Sequence, residues 1–166
     1  MPKLRRVAGA KVGTPRPQFL PDFAEFAARH NLTDWEGWWS PYEEDDYRFV
    51  LDRVGPDDVV LDIGAGDLRL ALRLAGKVRR VYAVEVNPLV LGQALAAVGH
   101  AMPRNLIAIC ANALDMNFPE GITAAVLLMR HCQHLDEIIA RLQAAGCRRL
   151  FTNVVSRLAV EEYDLS

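Results

Sequence analysis

The sequence predicts an α/β fold: a doubly wound, mostly parallel sheet of five strands in the order 3-2-1-4-5, preceded by an N-terminal helical extension. Three observations lead there. From about residue 55 onward, short apolar runs alternate with segments of helical periodicity. Glycine stands at most of the junctions, as at Gly64, Gly76, Gly99 and Gly146. Strands that alternate with helices at this rhythm pair in parallel, and their right-handed crossovers place helices on both faces.

The elements follow in order. Residues 1–17 carry Lys3, Arg5, Arg6, Lys11 and Arg16, three prolines and no acid, so they read as a basic flexible arm that orders only against a partner or the domain body. Residues 18–54 read as helical. Phe23, Phe26 and Ala27 recur at helical spacing, and Ser40-Pro41 followed by Glu43 reads as an N-cap, a first-turn proline and a capping-box acid for a helix reaching about Arg53. The core, residues 55–166, begins with the strand Val59–Ile63 and a compact helix from Leu68 to Ala75. The strand Arg80–Val86 and the helix Pro88–Val98 come next. Strands three and four are Asn105–Ala111 and Ala124–Met129, and the helix Leu135–Ala145 leads to the fifth strand, Arg149–Val155.

Composition narrows the function. The chain has 166 residues, 51% hydrophobic and 24% charged, enough for one ordinary core in one domain. A net charge of -2 argues against a nucleic-acid coat, which needs a basic excess. Cys110, Cys132 and Cys147 are odd in number and lack zinc or redox spacing, so they read as reduced thiols in a cytoplasmic protein. No apolar run reaches membrane-spanning length, and the N-terminus lacks the apolar region of a secretory signal, so no membrane association is expected.

The chemistry concentrates in Val59–Ala75, VVLDIGAGDLRLALRLA. A strand carries Asp62 to the carboxyl edge of the sheet. Gly64-Ala65-Gly66 follows, letting backbone pass close to a ligand without a Cβ in the way. The helix after it is expected to offer free N–H groups to a negatively charged group. Glu85 ends the second strand, 21 residues after Gly64, where an acid accepts hydrogen bonds from ribose hydroxyls. Strand, glycine loop, helix, strand and terminal acid in this order say more than any one of them.

Residues 59–75 resemble motif I of the class I S-adenosylmethionine-dependent methyltransferases, and VYAVEVNP (81–88) resembles their acidic second-strand motif. The resemblance spans roughly residues 55–155 and implies S-adenosylmethionine as cofactor. Asp62 and the loop Gly64, Ala65, Gly66 would hold its methionine part, and Glu85 with Val86 its ribose side. Asn112 with Ala113 would meet its adenine. Leu68 replaces the third glycine of the motif and Asn112 replaces the usual acid. No Asn-Pro-Pro-Tyr tetrapeptide follows the fourth strand, which points away from an adenine amino group as acceptor. The antiparallel strand pair that usually follows strand five is expected to be missing, making this a small or truncated member whose open sheet edge a homodimer would complete.

Met129-Arg130-His131-Cys132-Gln133-His134 follows the fourth strand, and His134-Leu135 resembles a pair found there in many small-molecule methyltransferases. Histidine, with an ordinary pKa of about 6.5, suits a general base. His134, Arg130 and His131 are therefore the catalytic candidates, against the plainer reading that the histidines only orient the next helix. A metal site of His131, Cys132 and His134 lacks a further ligand pair, so no metal is expected. Trp35, Trp38, Trp39, Tyr42 and Tyr47 read as packing aromatics or a lid, and Glu43–Asp46 as a helix start favoured by the dipole.

Three functions follow. The first is methyl transfer to an O, N or C nucleophile, with a small-molecule acceptor ahead of nucleic acid. The second is a non-catalytic S-adenosylmethionine-binding or scaffold protein, open to RNA association through its basic arm. The third, a nicotinamide oxidoreductase, ranks last because Arg69 stands where its fingerprint needs glycine.

Overall fold

The computed structural model describes residues 4–9 and 42–166. The expected helix around Phe23 and Phe26, Ser40-Pro41 and the three tryptophans lie outside them.

A single seven-stranded sheet organises the molecule. Its strands are β1 (Arg5–Gly9), β2 (Val59–Ile63), β3 (Arg80–Glu85), β4 (Leu106–Cys110), β5 (Ala124–Leu127), β6 (Arg149–Thr152) and β7 (Glu161–Asp164). The helices are α1 (Glu44–Leu51), α2 (Arg69–Ala75), α3 (Pro88–Val98) and α4 (Leu135–Ala144). The spatial order is β1-β7-β6-β5-β2-β3-β4. Its five-stranded part, β6-β5-β2-β3-β4, is parallel throughout and has the predicted 3-2-1-4-5 order read from the other edge.

Burial explains why the sheet reads so clearly. Every residue of β2 and β5 is buried, as central parallel strands covered on both faces require. One face packs Val60, Val81, Val126 and Phe151 under α1 and α2, where the Phe49 and Phe151 rings meet edge-on at 6.5 Å. The opposite face packs Leu61, Ile63, Leu127 and Leu150 under α4. In α3, Pro88 stands in the first turn and the Asn87 side chain accepts from the Leu89 and Val90 N–H groups, so that helix starts as expected. In α1 the start shifts: Glu43 is the N-cap, and its N–H donates to Asp46 Oδ2 at 3.3 Å.

The sheet edge corrects the sequence reading. The antiparallel strands expected to be missing are present, β7 against β6 and β1 against β7. Arg5–Gly9, read as part of a flexible arm, is the edge strand. Ion pairs accompany the pairing: Arg5 bonds Asp164, Arg6 Nε lies 2.9 Å from Glu161, and Arg149 Nε lies 2.9 Å from Glu162. A register shift between Arg6 and Ala8 leaves Val7 unpaired and exposed. The edge the sequence leaves open for a second subunit is thus filled by the chain itself.

Among the described residues, no helix is long and apolar enough to cross a membrane, and no cluster of three metal-binding side chains occurs. Cys110 is exposed, Cys132 half-buried and Cys147 buried, all of them free thiols.

Candidate active site at the carboxyl edge of the sheet

The parallel strands β2, β3 and β5 end side by side, and the loops after them form the site. In the turn after β2, Gly64 and Gly66 hold φ of +77° and +56°. A Cβ at Gly64 would sit 3.1 Å from Met129 Cε, a side-chain end that could yield, so it is the positive φ that calls for glycine there. Leu68, at the third glycine position of the motif, takes φ +66° and is fully buried. The left-handed conformation that glycine serves is kept here by a leucine, at a cost of about 1–2 kcal/mol that its burial offsets.

The N–H groups of this loop are already engaged. Those of Gly64 and Ala65 donate to Val84 O at 2.8 and 3.0 Å, and that of Leu68 to Ala65 O at 3.0 Å. Gly66 N–H donates to Glu85 Oε2 at 2.8 Å, and Arg69 N–H to Asp67 Oδ1 at 3.1 Å. The N–H groups of Gly64, Ala65, Gly66, Leu68 and Arg69, part of the cradle expected for an anionic ligand, are thus taken up within the chain. A dinucleotide pyrophosphate would find these donors occupied and carboxylates beside them.

The site favours positive charge instead. Asp62 is buried, and its Oδ2 has no hydrogen-bond partner among the described residues. Burial raises its carboxyl pKa to about 7, with Glu85 and Asp67 adding repulsion. Asp67 is paired with Arg69 at 2.7 Å. Glu85 is buried and accepts from Asn87 N–H at 2.9 Å besides Gly66, leaving one lone pair on each oxygen. Val86, next along, is an exposed apolar surface, and Ala113 is buried nearby in sequence order after β4. Asn112 is exposed, and its Oδ1 accepts from Leu114 N–H at 3.0 Å, closing its own turn.

The catalytic candidates divide. His131 and His134 are both exposed, and His134 is the N-cap residue of α4 without a side-chain bond to the helix. Arg130 is partly buried, with its Nε unpartnered among the described residues and its guanidinium 5.4 Å from the Tyr42 ring centroid. The Tyr42 N–H donates to Tyr47 Oη at 2.8 Å, and burial pushes the Tyr47 phenol up to about 12. Cys132 is raised by burial. The sequence reading overlooked Asn153, one residue past β6, whose buried amide has no partner on either atom among the described residues. No motif marks it.

A family model described as a methyltransferase domain matches residues 60–151, more than half of the chain. The chain belongs to this family, in its class I, S-adenosylmethionine-dependent branch. Over 79 residues it is 43% identical to a probable ribosomal RNA small subunit methyltransferase A of Methanosarcina barkeri, a match covering 42% of this chain and 26% of that protein. Over 38 residues it is 53% identical to a probable cobalt-precorrin-6B C(15)-methyltransferase of Methanothermobacter thermautotrophicus, covering 23% of this chain and 20% of that protein. Among solved structures, precorrin 8W decarboxylase of Methanobacterium thermoautotrophicum superposes with a TM-score of 0.58 at 27% identity, covering 68% of this chain and 63% of that one. The matched stretches thus span about a quarter or less of the two curated relatives.

Proposed function

We propose that this methyltransferase-family chain binds S-adenosylmethionine at the carboxyl edge of β2 and β3 and transfers its methyl group to an O, N or C nucleophile. The observation that carries the reading is the unpartnered, buried Asp62 oxygen in a pocket of acids. A buried carboxylate without a partner is costly unless a cation completes it, and S-adenosylmethionine presents an ammonium and a sulfonium. When bound, that cofactor supplies a methyl group already attached to a good leaving group.

The chain's own residues then bind, orient and shield. Asp62 accepts from the ammonium. Gly64, Ala65 and Gly66 leave room for close approach. The free lone pairs of Glu85 accept from ribose hydroxyls, Val86 offers an apolar face to the base, and Asn112 with Ala113 flanks it. Arg130, His131 and His134 border the acceptor side, with His134 or His131 taking the nucleophile's proton to solvent. A small-molecule acceptor agrees with the net charge of -2. The relative named as a ribosomal RNA methyltransferase makes RNA the second reading. A scaffold that binds the cofactor without catalysis is the alternative that Leu68 in the glycine position motivates.

The test is calorimetric titration with S-adenosylmethionine, S-adenosylhomocysteine and NAD, with Glu85→Ala as control. Micromolar binding of the first two, lost in the control, is expected. NAD binding in their place would overturn the reading.

A further inference from the structure

Four buried side-chain atoms among the described residues lack hydrogen-bond partners: Asp62 Oδ2, Arg130 Nε, and Asn153 Nδ2 and Oδ1. They are not scattered. They follow or end β2, β5 and β6, three neighbouring strands, all at the carboxyl edge. Asp62 is accounted for by a cationic cofactor. Asn153 is not, because it stands two strands away, roughly 10 Å across the sheet at ordinary strand spacing.

Alternation places Asn153 on the face of Phe151, and Asp62 on the face of Val60, and Phe151 and Val60 share one cluster. Asn153 and Asp62 thus belong to the same face, with Leu128 of the intervening strand end between them. Asn153 is 1% exposed. Its backbone is held in place, since Arg157 N–H donates to its carbonyl at 2.8 Å and the preceding Thr152 hydroxyl donates to Leu127 O at 2.7 Å. The amide is therefore buried on a held backbone and unsatisfied among the described residues, which a folded chain tolerates where a ligand completes it.

We propose that Asn153 is an acceptor-recognition residue, and that its carboxamide reads a neutral amide or lactam edge on the methyl acceptor while Arg130 Nε donates to a neighbouring acceptor atom. This rests on the methyltransferase reading above. A carboxamide with both atoms free matches a group presenting one donor and one acceptor side by side, as lactams and nucleobases do. A carboxylate or phosphate would leave the Asn153 oxygen facing another oxygen. Entry of the edge requires the side chains over the amide to part. Val155 and Leu158, in the loop that follows, are exposed apolar side chains.

The experiment uses the full chain and its Asn153→Leu and Asn153→Asp variants. Calorimetry with S-adenosylhomocysteine reads the cofactor side. Ligand-observed NMR with uracil, 2-pyridone, benzamide and benzoate, on protein saturated with S-adenosylhomocysteine, reads the acceptor side, and decauridylate tests the same edge within a strand. Expected are unchanged cofactor affinity in both variants, binding of at least one of the three amide or lactam probes but not benzoate, and a loss of tenfold or more in each variant. Asn153→Leu should raise Tm by about 3 °C, because an unsatisfied buried amide is replaced by an apolar group of similar size. Decauridylate binding tenfold tighter than uracil would assign the edge to RNA, and otherwise to a free heterocycle. A fall in Tm for Asn153→Leu, no binding by the three probes, or equal binding in the variants would overturn the proposal. Failure of the wild type to bind S-adenosylhomocysteine would instead overturn the methyltransferase reading, and the probes would then be run on the unliganded protein.

Discussion

The two halves of the carboxyl edge are built differently. Around β2 and β3, polar groups are tied together: the Gly64, Ala65, Gly66, Leu68 and Arg69 N–H groups all have internal acceptors, and Glu85 spans the Gly66 and Asn87 N–H groups. Around β5 and β6, Arg130 and Asn153 hold buried polar atoms with no partner among the described residues, and His131 and His134 stand in solvent. The first half is tied together by its own hydrogen bonds except at Asp62, whose Oδ2 has no partner among the described residues. The second keeps unsatisfied polarity, which the proposal above assigns to a ligand that brings its own partners. A family can keep the first half constant while the second changes with the acceptor.

Substitutions that disturb one half only test this division. The largest effect is expected from Glu85→Ala. It strands the buried Gly66 and Asn87 N–H groups at about 1–3 kcal/mol each, so chemical denaturation should show a loss of about 3 kcal/mol, and cofactor binding should disappear. A stability near wild type would mean that water or backbone adjustment replaces the carboxylate and that the first half is less rigid than described.

Asp62→Asn acts in the opposite direction on stability. The Asp62 pKa is raised in the fold to about 7, so the folded state holds its proton more tightly than the unfolded chain. The carboxyl is thus tolerated below its ordinary pKa and costs stability as pH rises through 7. Removing the charge should stabilise the unliganded protein at pH 8 by up to roughly 4 kcal/mol, and leave it little changed near pH 4, while cofactor binding falls. Thermal melts at the two pH values read this.

Leu68→Gly sets two terms against each other. It relieves about 1–2 kcal/mol of left-handed strain but empties a buried leucine site worth about 2–5 kcal/mol, so a net loss of about 2 kcal/mol is expected in urea unfolding. A gain in stability would show that the leucine is retained for something other than packing. The smallest effect is expected at the sheet edge. Arg6→Ala removes a mostly exposed partner of Glu161 and should cost under about 1 kcal/mol, less still at high salt. A much larger loss would make β1 a structural requirement rather than an edge cover.

What the sequence revealed follows the same division. The five parallel strands and their order were legible because buried strands are continuous apolar runs, and because Asp62, the glycines and Glu85 mark backbone positions with local signatures. β1 and β7 were missed because each is short and charged. The opposite charges of Arg5 and Arg6 and of Glu161 and Asp164 were visible, but pairing across roughly 150 residues leaves no local period. The helix start was visible, but not that the Gly64, Ala65 and Arg69 N–H groups would find acceptors within the chain, since that depends on where Val84 O and the Asp67 side chain fall. Asn153 was silent for the reason that makes it interesting: a lone asparagine after a strand reads as an ordinary turn residue until its burial and lack of partners are seen.

The central claim is that the first half of the edge is an acidic pocket completed by a cation. The most direct measurement is the affinity for S-adenosylmethionine between pH 8 and pH 6, on the wild type and on Asp62→Asn. With the Asp62 carboxyl at about 7 before binding, wild-type affinity should fall about tenfold over that interval, and the variant should bind weakly with no such slope. Equal affinity at both pH values in the wild type, or tight binding by the variant, would contradict it.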